Sequence, residues 1–155
     1  MLQVIKVVLL IILIFVVLGA LRTWELEKTS SQSAFILGQF PNPSPDGFYS
    51  GRETKYKLNW LGKEFDVKNS TGINVFKVKD GITKRFPFKT YGAQGLRDKN
   101  IKVLKIDYDI SQNPIWLRLV KDEIVQIRED KYLGKAHLDL IPTFPFTVAF
   151  FSLEK

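Results

Sequence analysis

The sequence has no cysteine, one histidine and one methionine, its first residue. The missing cysteine excludes disulfides, thiol nucleophiles, thiolate metal sites and a lipid-modified N-terminal cysteine. It assigns no redox compartment, because a large enough core needs no staples. With His137 alone, a zinc site lacks the two or three further ligands of the usual kind. No glycine-rich phosphate loop, serine-centred elbow or acidic metal loop occurs either. No cofactor is expected. Acidic residues are in deficit, 16 against 23 Lys and Arg, for a net charge of +7. That balance keeps a surface soluble and also suits anionic lipid head groups or an acidic partner. The cations are spread along alternating segments, with no basic helix or arm, which argues against nucleic acid.

One long apolar run is present, at the N-terminus. Val7 to Leu21 carries no charge. At 1.5 Å per residue it makes a helix of only ~22 Å, short of the ~30 Å hydrocarbon core. If Lys6 snorkels to the head groups, Leu2 to Leu21 supplies the ~20 residues a span needs. Trp24 then falls at the interface, where aromatic anchors concentrate. The run is apolar on all sides, unlike a helix lying on the bilayer surface. A cleavable signal peptide is the competing reading. Its cleavage site is poor, since a cut after Ala20 puts Leu18 where a small residue is preferred. Residues 1–24 are therefore read as a single-pass membrane anchor, with the domain on the periplasmic or extracytoplasmic side.

Residues 25–47 read as a Ser- and Pro-rich linker. Thr29-Ser30-Ser31-Gln32-Ser33 is small and polar, and Pro41-Asn42-Pro43-Ser44-Pro45-Asp46-Gly47 fits neither helix nor central strand. Ala34 to Leu37, between them, could pack on the domain or rest on the bilayer. From residue 48 to 155 period-two patterns dominate. Strands are expected around Tyr56 to Trp60, Ile73 to Val78, Thr83 to Tyr91, Ile101 to Ile110, Ile115 to Val120, Glu123 to Arg128, Tyr132 to Leu140 and Phe146 to Leu153. Asp80-Gly81 signals a hairpin, Pro87 an edge or bulge, and Gly92 to Asn100 a loop. About eight or nine short strands with tight connections suggest an antiparallel sandwich or closed barrel, and the run of hairpins favours a meander. Closure removes the edges an open sheet must protect.

Candidate chemistry is sparse. Asp107, Asp109, Asp122 and Glu123 lie near expected strand ends, where paired carboxylates in a shared cleft could perform acid-base catalysis. Asp107 and Asp109, however, alternate with Leu104, Ile106, Tyr108 and Ile110, which favours a solvated outer face for them. Aromatic residues carry more information. Phe65, Phe76, Phe86, Phe88, Tyr91, Tyr108 and Trp116, with Trp60, either pack a plain core or line an apolar cavity closed by polar groups such as Arg118 and His137. Phe144 to Phe151 is apolar on both strand faces. One face fills the barrel, and the other needs an adjacent element, the Ala34 to Leu37 segment, a protein or lipid. Trp60-Leu61-Gly62-Lys63 and Tyr132-Leu133-Gly134-Lys135 share a form in which glycine permits a turn or close approach.

The stretch Asn59 to Phe65 is similar to the Gly-Lys-Arg-Phe segment of small bacterial proteins of the GXWXG/DUF4334 type. Tyr108-Asp109, Asn113-Pro114-Ile115 and Tyr132-Leu133-Gly134 resemble that family's Tyr-Asp, Pro-Ile and Leu-Gly spacing. Pro45 to Tyr49 resembles a segment that follows the anchor in uncharacterised bacterial membrane-anchored proteins. The resemblance implies a lipocalin-type, calycin-like barrel and no established activity. The expectation is thus a mainly β protein: one transmembrane helix, then an antiparallel barrel. Its function would be non-enzymatic binding of a lipid or other apolar small molecule, with Trp60, Phe65, Phe76, Tyr108, Trp116, Arg118 and His137 at the site. The alternative is an accessory subunit of a membrane protein complex, using the barrel as a docking surface.

Overall fold

The computed structural model describes residues 1–53, 59–141 and 143–155. Two helices precede eight strands. Helix α1, Leu2–Leu26, is long and apolar enough to cross a membrane. Met1 to Phe15 are exposed throughout, and burial begins in the second half at Thr23 and Leu26. The residues expected to form a linker do not hang free. Ser30–Leu37 folds as α2, with Phe35 fully buried.

The strands are β1 (Gly47–Glu53), β2 (Trp60–Asp66), β3 (Thr71–Val78), β4 (Gly81–Gln94), β5 (Lys102–Asp107), β6 (Val120–Arg128), β7 (Lys131–Leu138) and β8 (Phe146–Glu154). Each pairs antiparallel with its neighbours in sequence, and β1 pairs with β8, so the meander closes into an eight-stranded barrel. This is the mainly β, lipocalin-like architecture expected. The alternation expected at Tyr56 and Leu58 lies outside the described residues. The Asp80-Gly81 turn joins β3 to β4. The irregularity expected at Pro87 falls one residue earlier, where Phe86 takes φ 63° and the β3–β4 register shifts.

Several expected boundaries change. β1 and most of β2 fall where no strand is expected, β5 ends at Asp107 and not Ile110, and β7 ends at Leu138 and not Leu140. β4 continues to Gln94, into the expected loop. Ile115 to Val120 is not a strand. Asn113 donates to the carbonyls of Pro87 (2.8 Å) and Tyr108 (2.9 Å), which ties the chain into a loop. The Pro114 carbonyl then accepts from the Leu117 and Arg118 amides, a short 3-10 turn forms at Leu117–Leu119, and β6 starts only at Val120. Local hydrogen bonding overrides a β-branched, aromatic sequence there.

The interior is a mostly aromatic core: Tyr49, Phe65, Phe88, Tyr108, Tyr132 and Phe151, with Leu104, Ile106, Ile124 and Leu153. Edge-to-face pairs link Phe65 to Tyr49 and Phe88, and Phe88 to Tyr108. At one end, where β1, β3, β5 and β7 begin, the segment after α2 closes the barrel. Gln39 bridges to Gln126, Phe40 packs on the core, and Pro41 and Pro45 are buried. The opposite end, where β2, β4, β6 and β8 begin, is the mouth.

The second apolar cluster lies outside the barrel wall. Leu26 of α1 and Phe35 of α2 meet Val103, Val125 and Phe150. The outward face of β8 thus finds its cover within the chain: Phe35 stands edge-on to Phe150, and Phe15 edge-on to Phe146.

Candidate functional site

A cavity of about 190 Å³ opens at the mouth. Its walls are Trp60, Phe76, Phe86, Leu117, Val120, Ala136, Ala149 and Phe151, and its floor is polar: Lys63, Asn74, Tyr108 and Asp122. Alternation alone would not put both Trp60 and Lys63 inside. A bulge between Trp60 and Gly62 does so by shifting β2 one residue against β3. Gly62 is required there. Its φ is +145°, and a Cβ would strike the backbone of Tyr49.

The floor is a closed hydrogen-bond network. The Lys63 ammonium lies 3.0 Å from Asp122 and 3.0 Å from the Asn74 carbonyl oxygen, and it also contacts the Tyr108 hydroxyl. Tyr108 donates to Asp122 (3.2 Å), and Asn74 donates to the Phe86 carbonyl (3.0 Å). The Trp60 indole N–H donates to Asn74 (3.1 Å). The rings of Trp60, Phe88, Tyr108 and Phe151 surround the ammonium at 5.1 to 5.5 Å, within cation–π range. Burial, and next the Asp122 charge, push the Tyr108 hydroxyl well above its ordinary pKa, so it remains a donor. Among the described residues, the floor holds a buried ion pair of zero net charge, Lys63 with Asp122, under aromatic walls. Such a site accommodates an apolar body and offers a polar end hydrogen bonds, while giving an ion no net charge to pair with.

Of the residues singled out from sequence, Trp60, Phe76 and Tyr108 meet at this cavity. Phe65 lies deeper, in the core beside Tyr49 and Phe88. Trp116 is 62% exposed on the rim, edge-on to Phe86, and does not line the walls. Arg118 points away and pairs with Asp109 at 2.7 Å. His137 sits on the outer side of the wall, because its strand neighbour Ala136 takes the inward position. Asp122, a candidate carboxylate near an expected strand end, does reach the cavity, but as the ion-pair partner of Lys63. Lys63 and Asn74 carry no sequence signal for this position, and only the bulge turns Lys63 inward.

His137 belongs to a second buried network, between the wall and the helices. Its Nε2 is 3.2 Å from Glu123, and its Nδ1 is 3.4 Å from the Thr147 hydroxyl. Glu123 also contacts Lys105 and accepts from the Leu96 amide at 2.5 Å. Burial alone would raise the Glu123 pKa. The hydrogen bond and charge of His137, with the charge of Lys105, outweigh it and hold the carboxyl below its ordinary value of 4.5. Nearby, Lys135 pairs with Asp98 (2.8 Å) and Glu27 (3.4 Å), and Arg97 clasps Glu27 through both carboxylate oxygens. Thr23 of α1 accepts from the Thr147 amide at 2.9 Å. These contacts fasten α1 and the turn after it to the barrel.

No family model matches the chain, and no curated protein matches its sequence. One solved structure resembles it in fold, the crystal structure of a protein from Thermomonospora curvata. The two share 15% identity and a TM-score of 0.54, over 76% of this chain and 79% of that one.

Proposed function

We propose that this protein is a membrane-tethered, non-enzymatic barrel that binds a lipid or another apolar small molecule in its mouth cavity. The observation that carries this reading is the cavity: aromatic and alanine walls over a fully hydrogen-bonded polar floor. The Lys63 ammonium is already engaged by Asp122, Asn74 and Tyr108. That arrangement suits retention of a ligand better than proton transfer to a substrate. Tethering is supported by α1, whose first half is apolar and exposed. The reading agrees with the resemblance to small membrane-anchored calycin-like proteins.

The test is extraction of the full chain from its membranes in mild detergent, then mass spectrometry of bound small molecules. A lipid or other apolar molecule in about equimolar amount is expected. Replacing Ala149, on the cavity wall, by Phe should abolish retention while the far-ultraviolet spectrum stays that of a barrel. A barrel that emerges empty but with a stoichiometric protein partner would overturn ligand binding in favour of an accessory-subunit role.

A further inference from the structure

The direction in which α1 runs bears on the barrel's position relative to the bilayer. Phe15 meets the Phe146 ring at a centroid distance of 6.4 Å, and a Cβ on Gly19 would stand 2.8 Å from the same ring. Thr23 bonds Thr147, and Leu26 clusters with Phe150. The helix therefore runs alongside β8 in the same sense, and its free N-terminal half projects past the start of β8, beyond the mouth.

The uncharged stretch of α1 does not stop where the barrel begins. It continues to Leu21, so Phe15 to Leu21 lies level with the first residues of β8. On the side away from the barrel, Val17, Leu18 and Leu21 are 47%, 60% and 53% exposed. A span that buries these residues in hydrocarbon brings the adjoining rim into the bilayer with them.

The rim is built for that position. Ile82 (66% exposed), Ile115 (80%), Trp116 (62%) and Phe144 (44%) are large apolar side chains, on three different loops or strand starts around the mouth. Exposed Lys79 and Arg85 stand on the β3–β4 hairpin among them, and Arg85 lies 5.0 Å over the Phe76 ring. Aromatic and aliphatic tips flanked by cations match an anionic bilayer surface, with the tips in the acyl boundary and the cations among head groups.

We infer that the mouth of the barrel is a membrane-docking face: Ile82, Ile115, Trp116 and Phe144 enter an anionic bilayer beside α1, so the cavity opens onto lipid and not onto water. This rests on the tether reading above. It adds that the barrel does not stand off from the membrane.

The absence of native cysteine allows single-site labelling of the full chain. An environment-sensitive fluorophore is placed at Ile115→Cys on the rim, at Ile127→Cys near the closed end, and at Ile12→Cys in the free part of α1. Each variant is reconstituted in phosphatidylcholine–phosphatidylglycerol vesicles, with nitroxide lipids as quenchers. The expected result is strong quenching at 12 and 115, with a severalfold emission rise at 115, and none at 127. Lys79→Glu with Arg85→Glu should reduce the signal at 115 and leave that at 12 unchanged. Quenching at 12 with a water-exposed label at 115 overturns the docking face and leaves the tether standing. No quenching at 12 overturns the tether, and the docking face with it.

Discussion

Lys63 and Asp122 are the residues on which the interior depends most. Their side chains are 3% and 7% exposed. An isolated charge at that depth costs several kcal/mol, whereas a matched pair is tolerated. Lys63→Met alone or Asp122→Leu alone should each destabilise the fold by ~3–5 kcal/mol, as removal of one member of a buried pair does. The double variant should recover most of the loss, read as denaturant midpoints. Two single losses that simply add would show that the pair is not coupled. Trp116 gives the opposite case. It is mostly exposed, so Trp116→Ala should change stability by no more than about 0.5 kcal/mol, yet lower ligand retention by exposing Phe86 and the mouth. At this scale the sequence was legible wherever alternation held: Tyr108 inward, Asp107 and Asp109 outward. It was illegible at Lys63, because one extra residue in a strand reverses which side chains face in.

The element whose role changed most is the segment after α1. Its composition suggested a loose tether, yet α2 seats Phe35 against Phe150, and residues 39–45 close one barrel end. A helix as short as α2 is marginal in isolation, and its serines give no apolar period. Tertiary contacts hold it, the packing of Phe35 and the hydrogen bond from buried Gln32 to Asp98 (2.7 Å), and no periodicity test sees them. The ion pairs behind it impose a pH dependence. Glu27 is held below its ordinary value of 4.5, first by the hydrogen bond from Arg97 and further by the charge of Lys135, with burial opposing. Glu123 is held low as well. Carboxyls depressed in the folded state contribute stability that is present above 4.5 and lost as pH falls through their lower folded values. The thermal midpoint should therefore stay nearly level from neutral pH down to about 5 and then fall. Glu27→Gln together with Glu123→Gln should lower the midpoint at neutral pH and flatten the acid limb. An unchanged acid limb in that variant would assign the effect to other carboxyls.

For the whole molecule, the helices and the barrel share buried contacts, Leu26 and Phe35 with Val103, Val125 and Phe150. Removing residues 1–14 takes away only exposed helix and should leave the denaturant midpoint of the detergent-solubilised protein unchanged. Removing residues 1–46 uncovers Val103, Val125 and Phe150 and leaves Lys135 without Glu27. That truncation should unfold at much lower denaturant or elute as aggregate. A monomeric truncated barrel of full stability would show that the helices are dispensable. The overall architecture was the most legible feature, because short alternating strands punctuated by turns constrain an all-β chain to few closed solutions. The placement of α1 was not legible, since a uniformly apolar helix does not reveal which face packs on protein. The stopper of Phe40 to Pro45 carries one more consequence. A container sealed at its base must fill and empty through the same opening. Under the proposed function the barrel would be a cup and not a conduit, and a ligand taken up at the mouth would be handed back at the surface where it was filled.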